Sequence, residues 1–128
     1  MQTVKDVMSR NVQVISPSGT IQEAALQMLK GNFGMLPVGE NNRMIGAISD
    51  RDIAIRAVAE GKGGTAKVRD VMSEGIVWAY ENDSVEDAAK LMSDHQIRRL
   101  PVVNSDKQLV GIVALGDFAI EVSDVEIA

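Results

Sequence analysis

The sequence predicts an α/β (α+β) fold of two matching halves, on three observations: a tandem repeat, an interior that small aliphatic side chains must fill, and short β-branched runs alternating with helical stripes. Val4-Lys5-Asp6-Val7-Met8-Ser9 recurs as Val68-Arg69-Asp70-Val71-Met72-Ser73. The same offset of 64 residues carries Ala24-Ala25 onto Ala88-Ala89, Met28 onto Met92, and Leu36-Pro37-Val38 onto Leu100-Pro101-Val102. After one extra residue in the second copy, Gly46 matches Gly111 and Asp52 matches Asp117. These matches place repeat 1 at 1–61, a linker at 62–67 and repeat 2 at 68–128. The 128 residues are 45% hydrophobic but 3% aromatic, so Val, Ile, Leu, Met and Ala fill the core, which favours thin layers of helix on sheet.

Each copy reads as β-α-β-β-α. Val12-Gln13-Val14-Ile15 and Ile76-Val77-Trp78-Ala79 are short and β-branched, the signature of a buried strand. Thr20 with Glu23, and Ser84 with Asp87, place a hydroxyl and a carboxylate where they can hold the free N–H groups of a helix's first turn. Ile21, Ala24, Ala25 and Met28 then form an apolar stripe, repeated by Val85, Ala88, Ala89 and Met92. The paired alanines are expected to let backbones approach closely. A second strand follows at Met35–Val38 or Leu100–Val103, with its proline read as marking a strand beginning or an edge. After a polar turn, Glu40–Arg43 or Asn104–Lys107, the third strand covers Met44–Ile48 or Leu109–Val113. A second helix follows over about Arg51 to Glu60 in the first copy and ends at Gly61. Lys62-Gly63-Gly64-Thr65 is expected to be a flexible connection.

Composition excludes several functions. A net charge of −5 opposes nonspecific attraction to nucleic acid or anionic lipid, so neither is an expected partner. No cysteine is present and His95 is the one histidine, which excludes thiolate chemistry and leaves no metal constellation. No nucleophile with an adjacent base is visible, and Gly61-Lys62-Gly63-Gly64 lacks the strand-to-helix context of a phosphate-binding loop. An enzyme is therefore not expected. The N-terminal stretch lacks the pattern of a secretory signal, and no run is long enough to span a membrane. A cytoplasmic protein is expected.

The duplicated order of Asp-Val-Met, Ala-Ala, Leu-Pro-Val, and Gly46-Ala-Ile-Ser-Asp-Arg-Asp52 against Gly111-Ile-Val-Ala-Leu-Gly-Asp117 resembles the tandem cystathionine-β-synthase (CBS) domain pair, or Bateman module, over nearly the whole chain. The resemblance implies pseudo-twofold halves, two clefts for adenosine-type ligands, and frequent assembly into homodimers. It also implies a ribose-binding aspartate three residues after a hydroxyl, which Ser49 and Asp52 match. An ionised carboxylate can accept both ribose hydroxyls, while a hydroxyl and free helix N–H groups can face phosphate. The same Ser-x-x-Asp spacing also makes an ordinary helix cap.

By the same resemblance, the first cleft combines Ser49 and Asp52 with Ile76, Val77 and Ile97, whose apolar walls and strand-edge backbone would receive adenine. Arg98 and Arg99 stand where relatives carry phosphate-contacting residues, and guanidinium suits phosphate, although adjacent arginines are also common on wet surfaces. Arg51 and Arg56 are weaker candidates. The second cleft combines Asp117 with Val12, Gln13 and Met35, but Ala114 replaces the hydroxyl, and Gly34 and Met35 stand where the other copy has Arg98 and Arg99. Phosphate binding is thus expected to concentrate at Ser49 and Asp52. The expected function is regulatory sensing of AMP, ADP, ATP or a relative such as NAD or S-adenosylmethionine, with no required cofactor and an unidentified regulated protein. The competing reading is a constitutive dimerisation or docking scaffold without ligand.

Overall fold

A hydroxyl or carboxylate at each helix start and a left-handed residue at each helix end define the two longest helices. The structure, a computed structural model, describes residues 2–114 and 116, in two compact units. One is Gln13–Ile76; the other combines the N-terminal segment through Val12 with the chain from Val77.

Within Gln13–Ile76, helix α2 (Ile21–Gly31) is capped by Thr20, whose Oγ1 accepts from Glu23 N at 3.1 Å. Its end is Asn32, at φ 57°. Ile21, Ala24 and Met28 are buried, whereas Ala25 is exposed, so one alanine of the pair faces the core. Strands β1 (Met35–Glu40) and β2 (Arg43–Ser49) pair antiparallel. Asn41 and Asn42, both at positive φ, make the tight reversal whose twist suits a hairpin. The predicted first strand shrinks to one parallel bridge, Ile15 to Val38. The chain before it is turned, with Val12 N donating to Arg10 O at 3.1 Å, so Val12–Val14 run outside the ladder.

Pro37 sits inside β1 rather than at its beginning, on a strand that forms an edge of its two-stranded sheet, the second of the two expected placements. Ile15 N donates to Pro37 O at 3.1 Å and Ile15 O accepts from Gly39 N at 3.0 Å. The ladder therefore uses the proline carbonyl, and the missing N–H is not required. A second helical run covers Asp50–Glu60, beginning as α3 (Asp50–Asp52), continuing as a π-helical turn (Ile53–Ala57) and ending as a 3₁₀ turn (Val58–Glu60). Gly61 closes it at φ 82°, where an L side chain would be strained. The glycine-rich connection is not free chain: Ile21 N donates to Ala66 O at 2.9 Å and Gln22 N to Gly64 O at 3.1 Å, satisfying two first-turn donors of α2.

The other unit repeats the plan. It opens with the short helix α1 (Val4–Val7). Helix α4 (Val85–His95) is capped by Ser84, whose Oγ accepts from Asp87 N at 3.1 Å, and ends at Gln96, φ 53°. Val85, Ala88 and Met92 are buried. Strand β3 (Ala79–Tyr80) runs parallel to β4 (Arg99–Val103), which pairs antiparallel with β5 (Leu109–Ala114). β3 is shorter than predicted and lies later, since Ile76 N is turned back onto Glu74 O at 2.9 Å. Pro101 lies within the central strand, but β3 reaches only Val102 and Val103. The second helix of repeat 2 lies outside the described residues.

Each core takes in the lead-in of the other repeat. Val68, Val71 and Met72 pack with Ile15, Ile21, Leu36, Val38 and Ile48. Val4 packs with Ala79, Val85, Met92, Leu100 and Val113, with Val7 and Met8 against them. The lead-ins also extend the sheets, Ser73 bridging Ala47 on β2 and Ser9 bridging Ile112 on β5. This requires glycine beneath them: a Cβ at Gly46 would lie 2.7 Å from Ser73 O, and one at Gly111 would lie 2.9 Å from Ser9 O.

Candidate functional site

β2 ends at Ser49, and the helical run begins at once, so Ser49 and Asp52 meet across the first turn. Ser49 Oγ accepts from Asp52 N at 3.0 Å, and Asp52 Oδ2 accepts from Ser49 N at 3.0 Å. The reciprocal cap is therefore formed, and both residues are half-buried. The other first-turn donors are also engaged: Asp50 N donates to Gly34 O at 2.9 Å and Arg51 N to Asp50 Oδ1 at 2.8 Å. The expected free helix N–H groups are thus taken, because the cap and the Asp50 carboxylate satisfy them locally. Phosphate at this point would have to rely on side chains.

Two residues given no role or a minor one by the sequence complete the cluster. Ser73 Oγ, on the lead-in, lies 3.3 Å from Asp52 Oδ1 and 3.5 Å from Oδ2, donating to the carboxylate. Arg56 Nη1, in the π-helical turn, donates to Met72 O at 3.0 Å and to Ser73 Oγ at 3.3 Å. A carboxylate has about four lone-pair positions, so Asp52 keeps acceptor capacity beyond these bonds. The signal for Ser73 was present in the repeat, where Ser9 and Ser73 close the matched lead-ins.

Met35 is the register partner of Ser49, and Ile76 is half-buried in the same unit. Gln13 is exposed there. In the other unit, Val77 and Ile97 pack against the core, giving their apolar character a structural use. Neither Ile76 nor Val77 lies on a strand, correcting the expectation of a strand edge there, because the chain is turned before β3. Arg98 is exposed, while Arg99 is half-buried and pairs in register with Ala114. Val12 is half-buried. Asp117 lies outside the described residues. Lys107 Nζ stands 5.5 Å from the centre of the Trp78 ring, within cation–π reach. No group of three or more His, Cys, Asp and Glu able to hold a metal occurs among the described residues. No helix among them is long and apolar enough to cross a membrane.

A duplicated β-α-β-β unit carrying a capped Ser-x-x-Asp at the strand-to-helix junction defines a tandem-repeat α/β class, and the family model for the CBS domain matches residues 4–58 and 68–124. The chain belongs to the CBS domain family. It is 50% identical over 120 residues to the CBS domain-containing protein YhcV of Bacillus subtilis (strain 168), covering 94% of this chain and 85% of that protein. Among solved structures, hypoxic response protein I with two coordinated zinc ions superposes with a TM-score of 0.83 at 33% identity, over 94% of this chain and 99% of that one. The CBS domain pair of protein MJ0100, in complex with 5-methylthioadenosine and S-adenosyl-L-methionine, gives a TM-score of 0.83 at 28% identity, over 97% and 98%. CBSX2 in complex with AMP gives 0.82 at 26%, over 98% and 99%.

Proposed function

We propose that this chain is a regulatory, non-catalytic module that binds an adenosine-type ligand such as AMP, ADP, ATP, NAD or S-adenosylmethionine. The carrying observation is the Asp52 carboxylate, oriented by Ser49 N and Ser73 Oγ while retaining acceptor capacity. Its oxygens suit the paired hydroxyls of a ribose. The adenosine compounds bound by the MJ0100 pair and CBSX2 support the same ligand class. Within Gln13–Ile76, Ser49, Asp52 and Ile76 serve one ligand; in the other unit, the guanidinium groups of Arg98 and Arg99 suit phosphate. Within Gln13–Ile76, Gln13 and Met35 serve a second. A ribose engaging Asp52 competes with the Ser73 hydroxyl, which links occupancy to the lead-in that closes this core; a ligand shifts such an equilibrium by its differential affinity.

The zinc of hypoxic response protein I is not transferred, since this chain has no cysteine and one histidine. A homodimer in the cytoplasm, acting on an unidentified protein, completes the proposal. The scaffold reading is favoured by one observation: every donor of the Asp50–Asp52 turn already has a partner within the chain. Thermal unfolding of the full chain with and without AMP tests the choice. A ligand of the native state raises the midpoint; an unmoved midpoint with AMP, adenosine and S-adenosylmethionine at millimolar concentration would reject sensing and leave the scaffold.

A further inference from the structure

The first repeat has Gly34 where the second has Arg98, and the difference is more than a missing side chain. Asp50 turns its carboxylate over Gly34: a Cβ at that position would lie 2.8 Å from Asp50 Oδ2 and 3.1 Å from Cγ. Two hydrogen bonds fix this placement. Asp50 Oδ1 accepts from Arg51 N at 2.8 Å, and Asp50 N donates to Gly34 O at 2.9 Å. A side chain at 34 would have to displace the carboxylate, so glycine and aspartate belong together. In the second repeat the matching residues are Arg98 and the uncharged Leu115. One repeat thus offers a cation where the other offers an anion. Met35 follows Gly34 and pairs with Ser49, the residue before Asp50, so Asp50 lies beside the ligand position assigned to Met35.

We infer that Asp50 is a specificity-determining residue: it makes the adenosine position at Met35 reject phosphorylated ligands and take an uncharged or cationic adenosine compound. This rests on the adenosine-binding reading above. A phosphate monoester beside the exposed Asp50 carboxylate meets direct repulsion, screened in part by solvent and salt. An uncharged nucleoside meets none, and a sulfonium or ammonium substituent is attracted. The two ligand positions then differ in the charge they accept while sharing the adenosine they recognise.

The test uses equilibrium titration of the full chain with adenosine and with AMP, in wild type, Asp52→Ala, and Asp52→Ala combined with Asp50→Asn. Asn retains the side-chain oxygen that Arg51 N requires but removes the charge. In Asp52→Ala, adenosine is expected to bind about tenfold or more tightly than AMP; adding Asp50→Asn is expected to bring the two affinities within about threefold. Asp50→Ser gives the same comparison if the Asn variant unfolds. A preference unchanged by either substitution would overturn the inference, as would AMP binding Asp52→Ala as tightly as adenosine. If wild type binds AMP but Asp52→Ala binds neither compound, the inference fails while the adenosine reading stands. If wild type binds neither, both fail.

Discussion

Each oxygen of Asp52 has a neighbour already, Ser49 N and the Ser73 hydroxyl, so the residue joins the stability of the turn to its proposed chemistry. Asp52→Ala is expected to weaken AMP binding at least tenfold by calorimetry, about 1.4 kcal/mol. Loss of the reciprocal cap also costs about 1 kcal/mol of stability, so thermal unfolding must accompany the titration. Ser73→Ala separates the two roles: if its hydroxyl competes with ribose, AMP should bind more tightly although unfolding becomes easier. Weaker AMP binding by this variant would instead make Ser73 a ligand contact. Ser49 and Asp52 were legible because their partnership spans three residues. Ser73 lies 21 positions from Asp52, and Asp50 meets Gly34 through a β-hairpin, so pattern alone assigned neither encounter.

Helices were read more fully than the first strands. Caps and stripes are local, and α2 and α4 begin where Thr20 and Ser84 predict. The runs Val12–Ile15 and Ile76–Ala79 carry β-branched residues, but tight turns at Arg10–Val12 and Glu74–Ile76 take backbone groups that a longer ladder would use. The strand-covering glycines follow from the same lead-ins. Gly46→Ala is expected to destabilise the protein by about 1–3 kcal/mol through overpacking, measured by chemical denaturation; a change below 0.5 kcal/mol would contradict the close approach. At α1, hydrogen bonds from the Thr3 backbone N–H and then its hydroxyl hold the exposed Asp6 carboxyl below its ordinary value of 3.8. The folded form therefore favours the ionised group. Its contribution is fully present above the ordinary value and lost as pH falls through the lower folded one. An Asp6 titration midpoint at or above 3.8 by NMR would refute this.

The molecule's folding frame is offset from its repeat frame. The repeat matches run from the Val4 and Val68 lead-ins, yet the compact units divide after Val12 and Ile76. A fragment spanning Gln13–Ile76 contains its own core, including Val68, Val71 and Met72; one spanning 1–61 lacks those side chains. The first is expected to show cooperative unfolding in isolation and the second to remain unfolded by circular dichroism. The reverse result would reject the exchanged lead-ins. The duplication and layered class were evident from sequence; the exchange was not, because each lead-in matches its own repeat while packing into the other's core.

That exchange also bears on inheritance. Copying the stretch 4–58 by itself would reproduce a recognisable sequence but leave out the aliphatic residues that seal its interior. Copying the offset stretch Gln13–Ile76 instead would carry those sealing residues along. The copyable folding unit is thus the offset stretch, not the repeat that the sequence displays.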